Sequence, residues 1–252
     1  MIDTHCHLNI DPLQRGPEAL IAAAGEVGVH GIVVPGVSLA TSKVAVNLAC
    51  QFASVYAAVG IHPHEAASEE AAEEGIKQLL DSNTQIVAVG EIGLDYVQGG
   101  GDEAQSIVFR SMLELARQYA KPVIIHTRAA HADTLKILSN YPDLSVLIHS
   151  FSGSLHEAKD FLEAGYFLGL NGIITFKKNE ALRQVVQELP LERIVLETDA
   201  PYLTPEGFRG KDNAPAHVAD VAKYLANIKG LTVDTIDEQT TVNATRFFHL
   251  PV

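Results

Sequence analysis

Short uninterrupted apolar runs rich in Val and Ile recur along the chain. Each is followed by a longer segment whose apolar positions fall at helical spacing, with charged residues on the other side. The runs predict strands at Ile2 to His7, Gly31 to Pro35, Tyr56 to Ile61, Ile86 to Glu91, Val123 to His126, Ser145 to His149, Tyr166 to Leu170 and Ile194 to Glu197. The longer segments predict helices at Pro17 to Val27, Ala40 to Phe52, Ala66 to Leu80, Glu103 to Tyr119, Ala132 to Asn140, Leu155 to Ala164 and Glu180 to Glu188, then Ala216 to Asn227 and Val233 to Phe248. Strands without polar alternation are buried on both faces, as a parallel sheet covered by helices requires. Eight βα units in 252 residues predict an α/β fold, a (β/α)8 TIM barrel, with a doubly wound open sheet as the alternative. No long linker divides the chain, so residues 1–252 are read as a single domain. The loop richest in Gly and Pro, Ala200 to Pro215, follows the eighth strand, and long loops of that kind tend to be functional. Gly99-Gly100-Gly101 lacks the Gly-Lys-Ser/Thr ending of a phosphate-binding P-loop and reads as a turn.

Composition narrows the possibilities. The chain is 47% apolar with a net charge of −13, which supplies a core and excludes disorder as the main state. The acid excess argues against a surface that grips nucleic acid or anionic lipid throughout, and leaves a local basic patch open. Cys6 and Cys50 cannot build a disulfide framework, and Met1 to His5 has neither the basic nor the apolar region of a signal peptide. No run of about 18 apolar residues occurs. The expectation is a cytoplasmic protein with no membrane association and no obligate protein partner.

In a parallel barrel, chemistry gathers at the C-terminal ends of the strands, where all the loops face one mouth. The polar residues of this chain concentrate there: His5-Cys6-His7, His62-Pro63-His64, Gly90-Glu91 onward to Asp95, His126, His149 and Glu197-Thr198-Asp199. Strand alternation sends His5 and His7 to one side and Cys6 to the other, so Cys6 is not expected to be a ligand. A lone histidine on an apolar run is more often a satisfied core residue. Four imidazoles from three strand ends, with a Glu and an Asp from two others, form a buried polar set that a divalent metal would neutralise and orient. Nitrogen and oxygen donors suit Zn, Mn, Co, Ni or Fe, and the lack of thiolates argues against a closed structural zinc site. Six donors exceed the needs of one tetrahedral ion, which points to a bridged pair of ions and to hydrolysis.

Six blocks carry a resemblance over nearly the whole chain. They are Ile2-Asp3-Thr4-His5-Cys6-His7, Gly60-Ile61-His62-Pro63-His64, Gly90-Glu91-Ile92-Gly93-Leu94-Asp95-Tyr96, Ile125-His126-Thr127-Arg128, His149-Ser150-Phe151-Ser152-Gly153-Ser154 and the stretch from Leu196 to Pro205. In this order they resemble the TatD family of metal-dependent hydrolases. The resemblance implies an amidohydrolase-like barrel with one or two divalent ions (Zn, Mn, Mg, Co or Ni) and deoxyribonuclease chemistry. By the same resemblance, His5, His7 and Asp199 hold one ion, His126 and His149 the second, and Glu91 bridges them. Glu91 and Asp199 are the catalytic pair that positions and deprotonates water, while His62 approaches the scissile phosphate. The chain departs from the family at Ala129, where an acidic residue is usual, and at Asn213-Ala214-Pro215, where Asn-Glu-Pro is common. Both departures bear on substrate preference rather than on the ligands.

Arg128, Arg209 and Lys211 are candidates for clamping phosphate oxygens, against the alternative of solvated loop charges. Tyr202 and Phe208 are candidates for stacking on a base, against packing of their loop. Lys177 and Lys178 read as a solvated pair near the mouth. Glu197, His64 and Asp95 are expected to support ligands rather than to ligate. His30, His131, His156, His217 and His249 are assigned no role. The leading expectation is a deoxyribonuclease that takes an end or a single strand of DNA into a local, metal-neutralised pocket, which a net negative chain tolerates better than a long duplex. The same site on a carboxylic ester or amide, such as an aminoacyl ester on RNA, is the alternative. A metal-retaining binding protein without turnover is the third.

Overall fold

A computed structural model describes residues 1–10, 15–68, 72–82, 85–98 and 102–251. The Gly99 to Gly101 turn lies outside the described residues. The strands are β1 Ile2–Asp3, β2 Gly31–Pro35, β3 Val55–Val59, β4 Ile86–Asp95, β5 Val123–Arg128, β6 Val146–Ile148, β7 Phe167–Leu170 and β8 Ile194–Leu196. Between them run α1 Pro17–Glu26, α2 Leu39–Gln51, α3 Glu73–Ser82, α4 Asp102–Gln118, α5 His131–Leu138, α6 Leu155–Glu163 and α7 Glu180–Glu188; α8 Val218–Lys229 and α9 Val233–Phe248 follow β8. The strands form one sheet in chain order, β1 to β8. The last strand returns to the first: Thr4 N donates to Leu196 O at 2.9 Å, Asp199 N to His5 O at 2.8 Å and His7 N to Ala200 O at 2.7 Å. Parallel strands in chain order, with the last beside the first and helices between, make the (β/α)8 barrel that the sequence pattern predicts.

The chain has two compact units, Met1–Val33 with Ser150–Val252, and Val34–His149. In the first, β7 pairs with β8 and β1 pairs with β2 in parallel. Phe161, Leu168, Val195, Phe247 and Phe248 are buried in its core. α9 is tied to the start of β8 by Asn243, whose Nδ2 donates to Leu191 O at 2.8 Å and Ile194 O at 2.7 Å. Regular pairing of β1 stops at Asp3, short of the expected His7, because Cys6 N bonds to Val33 O while His7 N turns to Ala200 O.

In the second unit β3, β4, β5 and β6 pair in parallel over a core containing Ile86, Ile92, Phe109, Met112, Leu113 and Ile124. β4 runs four residues beyond its expected end at Glu91, because Ile92 to Asp95 pair with Ile125 to Arg128. The register slips between Val89 and Ile92, leaving one extra residue on β4, a bulge that re-aims the side chains beside it. The helix expected over Ala66 to Leu80 starts only at Glu73, and residues 69–71 lie outside the described residues. Helix starts elsewhere are set by caps. In α2 the Ser38 hydroxyl accepts from Thr41 N at 3.2 Å while Thr41 Oγ1 accepts from Ser38 N at 2.9 Å, and Ser154 with Glu157 repeats the device in α6.

Gly93 has φ +143°, and a Cβ there would collide with the carbonyl oxygen of His126. Gly93→Ala should therefore cost on the order of 2–4 kcal/mol, the strained backbone and the overpacking together, read as a lower denaturant midpoint. An unchanged midpoint would show that β5 yields freely at His126.

Candidate metal centres

Each unit contains a convergent set of imidazole and carboxylate donors. In the first, His5 and His7 follow β1 and Asp199 follows β8. The two Nε2 atoms lie 3.2 Å apart, and Asp199 Oδ1 lies 3.4 Å from that of His7 and 3.8 Å from that of His5. All three residues are buried. Asp199 turns through a left-handed conformation, φ +56°, which Asp tolerates better than most residues. The ligand-type atoms of this set lie within 4.8 Å of one another. Two ring nitrogens facing each other across one carboxylate fit a divalent cation, since a single proton can serve only one nitrogen pair while an ion accepts from all three groups. Cys6 is buried, and burial pushes its thiol well above the usual range; the donor atoms of this set are those of His5, His7 and Asp199.

This set rests on a buried acid to which the sequence pattern assigned no role. Asp3 Oδ1 accepts from Thr198 N at 2.8 Å, and its Oδ2 accepts from the Thr198 hydroxyl at 2.6 Å. Burial pushes the Asp3 carboxyl up to about 8, against the lowering effect of the Thr198 and His5 hydrogen bonds. Glu197, also buried, accepts from Ser150 N at 2.8 Å and Asn171 Nδ2 at 3.0 Å, so it anchors backbone and side chain, and it is itself among the carboxylates placed to hold an ion.

In the second unit Glu91 sits at the β4 bulge, its N–H bonded to Gly36 O at 2.8 Å. Its Oε1 lies 2.9 Å from His126 Nδ1, 3.6 Å from His62 Nε2 and 3.9 Å from His149 Nε2. Glu91, His62 and His126 offer donor atoms within 4.8 Å of one another. His62 Nδ1 accepts the His64 N–H at 3.1 Å, so the proton of a neutral His62 ring belongs on Nε2. In that tautomer Nε2 is a hydrogen-bond donor facing Glu91.

The other nitrogen of His126, Nε2, lies 3.1 Å from Asp95 Oδ2, and His64 Nε2 lies 2.9 Å from the same oxygen. Asp95 Oδ1 accepts from Val97 N at 2.8 Å and Gln98 N at 2.9 Å. Gln105 of α4 clamps the Asp95 backbone from both sides, accepting from its N–H at 2.8 Å and donating to its carbonyl at 3.0 Å. Burial opposes ionisation of Asp95, yet the hydrogen bonds from His126, Gln98, Val97 and His64 outweigh it and hold the carboxyl well below the usual range. Burial also opposes charge on His126, and Asp95 and Glu91 outweigh it in turn, raising its pKa. Asp95 thus fixes the ring with Nδ1 toward Glu91. Asp95→Asn should weaken divalent-ion binding by roughly 10- to 100-fold, the usual effect of losing a carboxylate behind a histidine ligand. Equilibrium dialysis reads this directly; unchanged affinity would show that Asp95 does not orient His126.

The other candidates divide. Arg128, half exposed at the end of β5, has Nη1 3.9 Å from Asp95 Oδ2. Arg209 places its guanidinium over the Phe176 ring at 4.2 Å, and Lys211 is exposed in the same loop. Lys177 lies 3.9 Å from Glu206, in keeping with a solvated charge. Phe208 lies against His217 at 4.4 Å between ring centroids. No helix among the described residues is long and apolar enough to cross a membrane.

A (β/α)8 barrel with clustered imidazole and carboxylate donors after its strands defines a metal-dependent hydrolase. The chain belongs to the TatD related DNase family, whose model matches residues 2–249. It is 35% identical to an uncharacterized metal-dependent hydrolase of Bacillus subtilis, YabD, over 99% of each chain. It is 30% identical to the 3'-5' ssDNA/RNA exonuclease TatD of Klebsiella pneumoniae, over 100% of this chain and 99% of that one. The crystal structure of the TatD homologue YJJV from Escherichia coli K12 superposes with a TM-score of 0.92 at 34% identity, covering 100% of this chain and 98% of the other.

Proposed function

We propose that this hydrolase is a deoxyribonuclease that cuts phosphodiester bonds from an end or a single-stranded stretch of DNA. The observation that carries the reading is the pair of donor sets, His5, His7 and Asp199 in one unit and Glu91 with His126 and His149 in the other. The Klebsiella relative, named for 3'-5' exonuclease action on single strands, supports the substrate class and the direction. In this reading His5, His7 and Asp199 would hold one divalent ion, and Glu91, His126 and His149 would hold a second. Bound there, divalent ions supply charge neutralisation for the phosphoryl oxygens and a lowered pKa for water.

The chain's own residues do the rest. Asp199 orients the attacking water and takes its proton, a role open to a carboxylate whose neighbours at the site are imidazoles. Glu91 holds the His126 ring in place from its position on the bulge. His62 donates from Nε2 to a non-bridging phosphate oxygen. Arg128 and Arg209, both exposed, meet the flanking phosphates. The test is a product assay with Mn, Zn, Mg, Co or Ni on a single-stranded oligonucleotide, its duplex and an aminoacyl ester of RNA. Nucleotide release from the single strand is the expected result. Turnover of the ester alone would replace the nuclease reading with the carboxylic-ester one.

A further inference from the structure

The loop after β8 presents two exposed aromatic side chains, Tyr202 at 50% and Phe208 at 36% relative exposure, and they are placed very differently. Phe208 is engaged with His217, which is in turn bonded to Asp220 of α8 at 2.9 Å, so it fastens the loop. Tyr202 has its backbone hydrogen-bonded and its side chain half exposed. Its N–H donates to Asp199 O at 2.8 Å, and its carbonyl accepts from Asn213 Nδ2 at 2.6 Å, which also donates to Thr198 O at 2.9 Å. The ring meets that of His7 edge-on, with centroids 6.0 Å apart. An aromatic ring on a pinned backbone therefore stands beside the His5, His7 and Asp199 donor set, half open to solvent.

We propose that Tyr202 is the stacking platform for the base of the nucleotide whose phosphodiester is cut, an inference that rests on the nuclease reading. Every base has a π-face, so such a platform accepts any base without reading sequence. The rigid loop backbone means that little ordering is required when the base arrives. A base inside a duplex has its faces covered by its neighbours, whereas an unpaired terminal base offers one. Stacking at Tyr202 therefore selects a single strand or a frayed end, and places the terminal phosphodiester at the adjacent donors.

The competing role is purely positional, with the ring packing against His7 to hold it. A coupling experiment separates the two. Wild type, Tyr202→Phe and Tyr202→Leu, loaded with the same metal, are assayed on a single-stranded oligonucleotide and on its copy with an abasic 3'-terminal nucleotide. Stacking predicts that Tyr202→Leu lowers kcat/KM on the base-bearing strand by about tenfold or more, chiefly through KM, and that Tyr202→Phe restores it. On the abasic strand wild type and Tyr202→Leu should agree within about twofold, since the stacked partner is absent. Equal losses on both strands, or no loss on either, overturn the inference alone. Failure of the wild type to cut either strand overturns the nuclease reading and the inference with it.

Discussion

Glu91→Gln should lower phosphodiester hydrolysis by at least about 10³-fold, while the protein stays folded with a thermal midpoint within a few degrees of wild type. The two side chains have nearly the same shape, so the change removes a charge rather than volume. That charge is buried, with three imidazoles within 3.9 Å of one oxygen. Neutralising a buried carboxylate removes a desolvation penalty as well as an attraction, which is why folding survives. Catalysis does not, because a neutral amide holds a divalent ion and its water far less well. Metal content by elemental analysis should fall in parallel. Full metal-dependent activity in Glu91→Gln would remove Glu91 from the site.

Asp199→Asn should cost about 10²- to 10⁴-fold in kcat, with a smaller effect on KM, the range for loss of a positioned general base. Asn is the informative replacement because it tolerates the left-handed backbone that Asp199 adopts at φ +56°. It also keeps the N–H that donates to His5 O and the carbonyl that accepts from Tyr202 N, so the loop stays in place. What disappears is the ability to accept a proton, together with the negative charge that Asp199 brings to the donor set. A loss confined to KM would recast Asp199 as a substrate contact.

Much of the site was legible because strand geometry is periodic. His5 and His7 are two residues apart just past the end of β1, and their Nε2 atoms meet at 3.2 Å. Glu91, His126 and His149 each stand at the end of an apolar run, where a parallel barrel gathers its chemistry. Asp95, His64 and Glu197 were legible as candidate supports, but the other supports were not. Asp3 and Thr198 are 195 positions apart, and no local pattern links them. Gln105 reads as one more polar position on an amphipathic helix, yet it grips the backbone of Asp95. The β4 bulge at Glu91 leaves no mark on an apolar run, and it lets the strand continue to Asp95. The helix expected from Ala66 starts only at Glu73, after a short 3-10 turn at Pro63–Glu65 that no helical spacing marks.

The most direct test is to titrate metal-stripped protein with each divalent ion, measuring ions bound per chain and 3'-end release from a single-stranded oligonucleotide in the same samples. The expected result is that nucleotide release is absent at zero metal, rises with the first or second ion bound, and fails to rise in Glu91→Gln. Nuclease activity that persists in fully stripped protein, or full metal binding with no release from any phosphodiester, would contradict it.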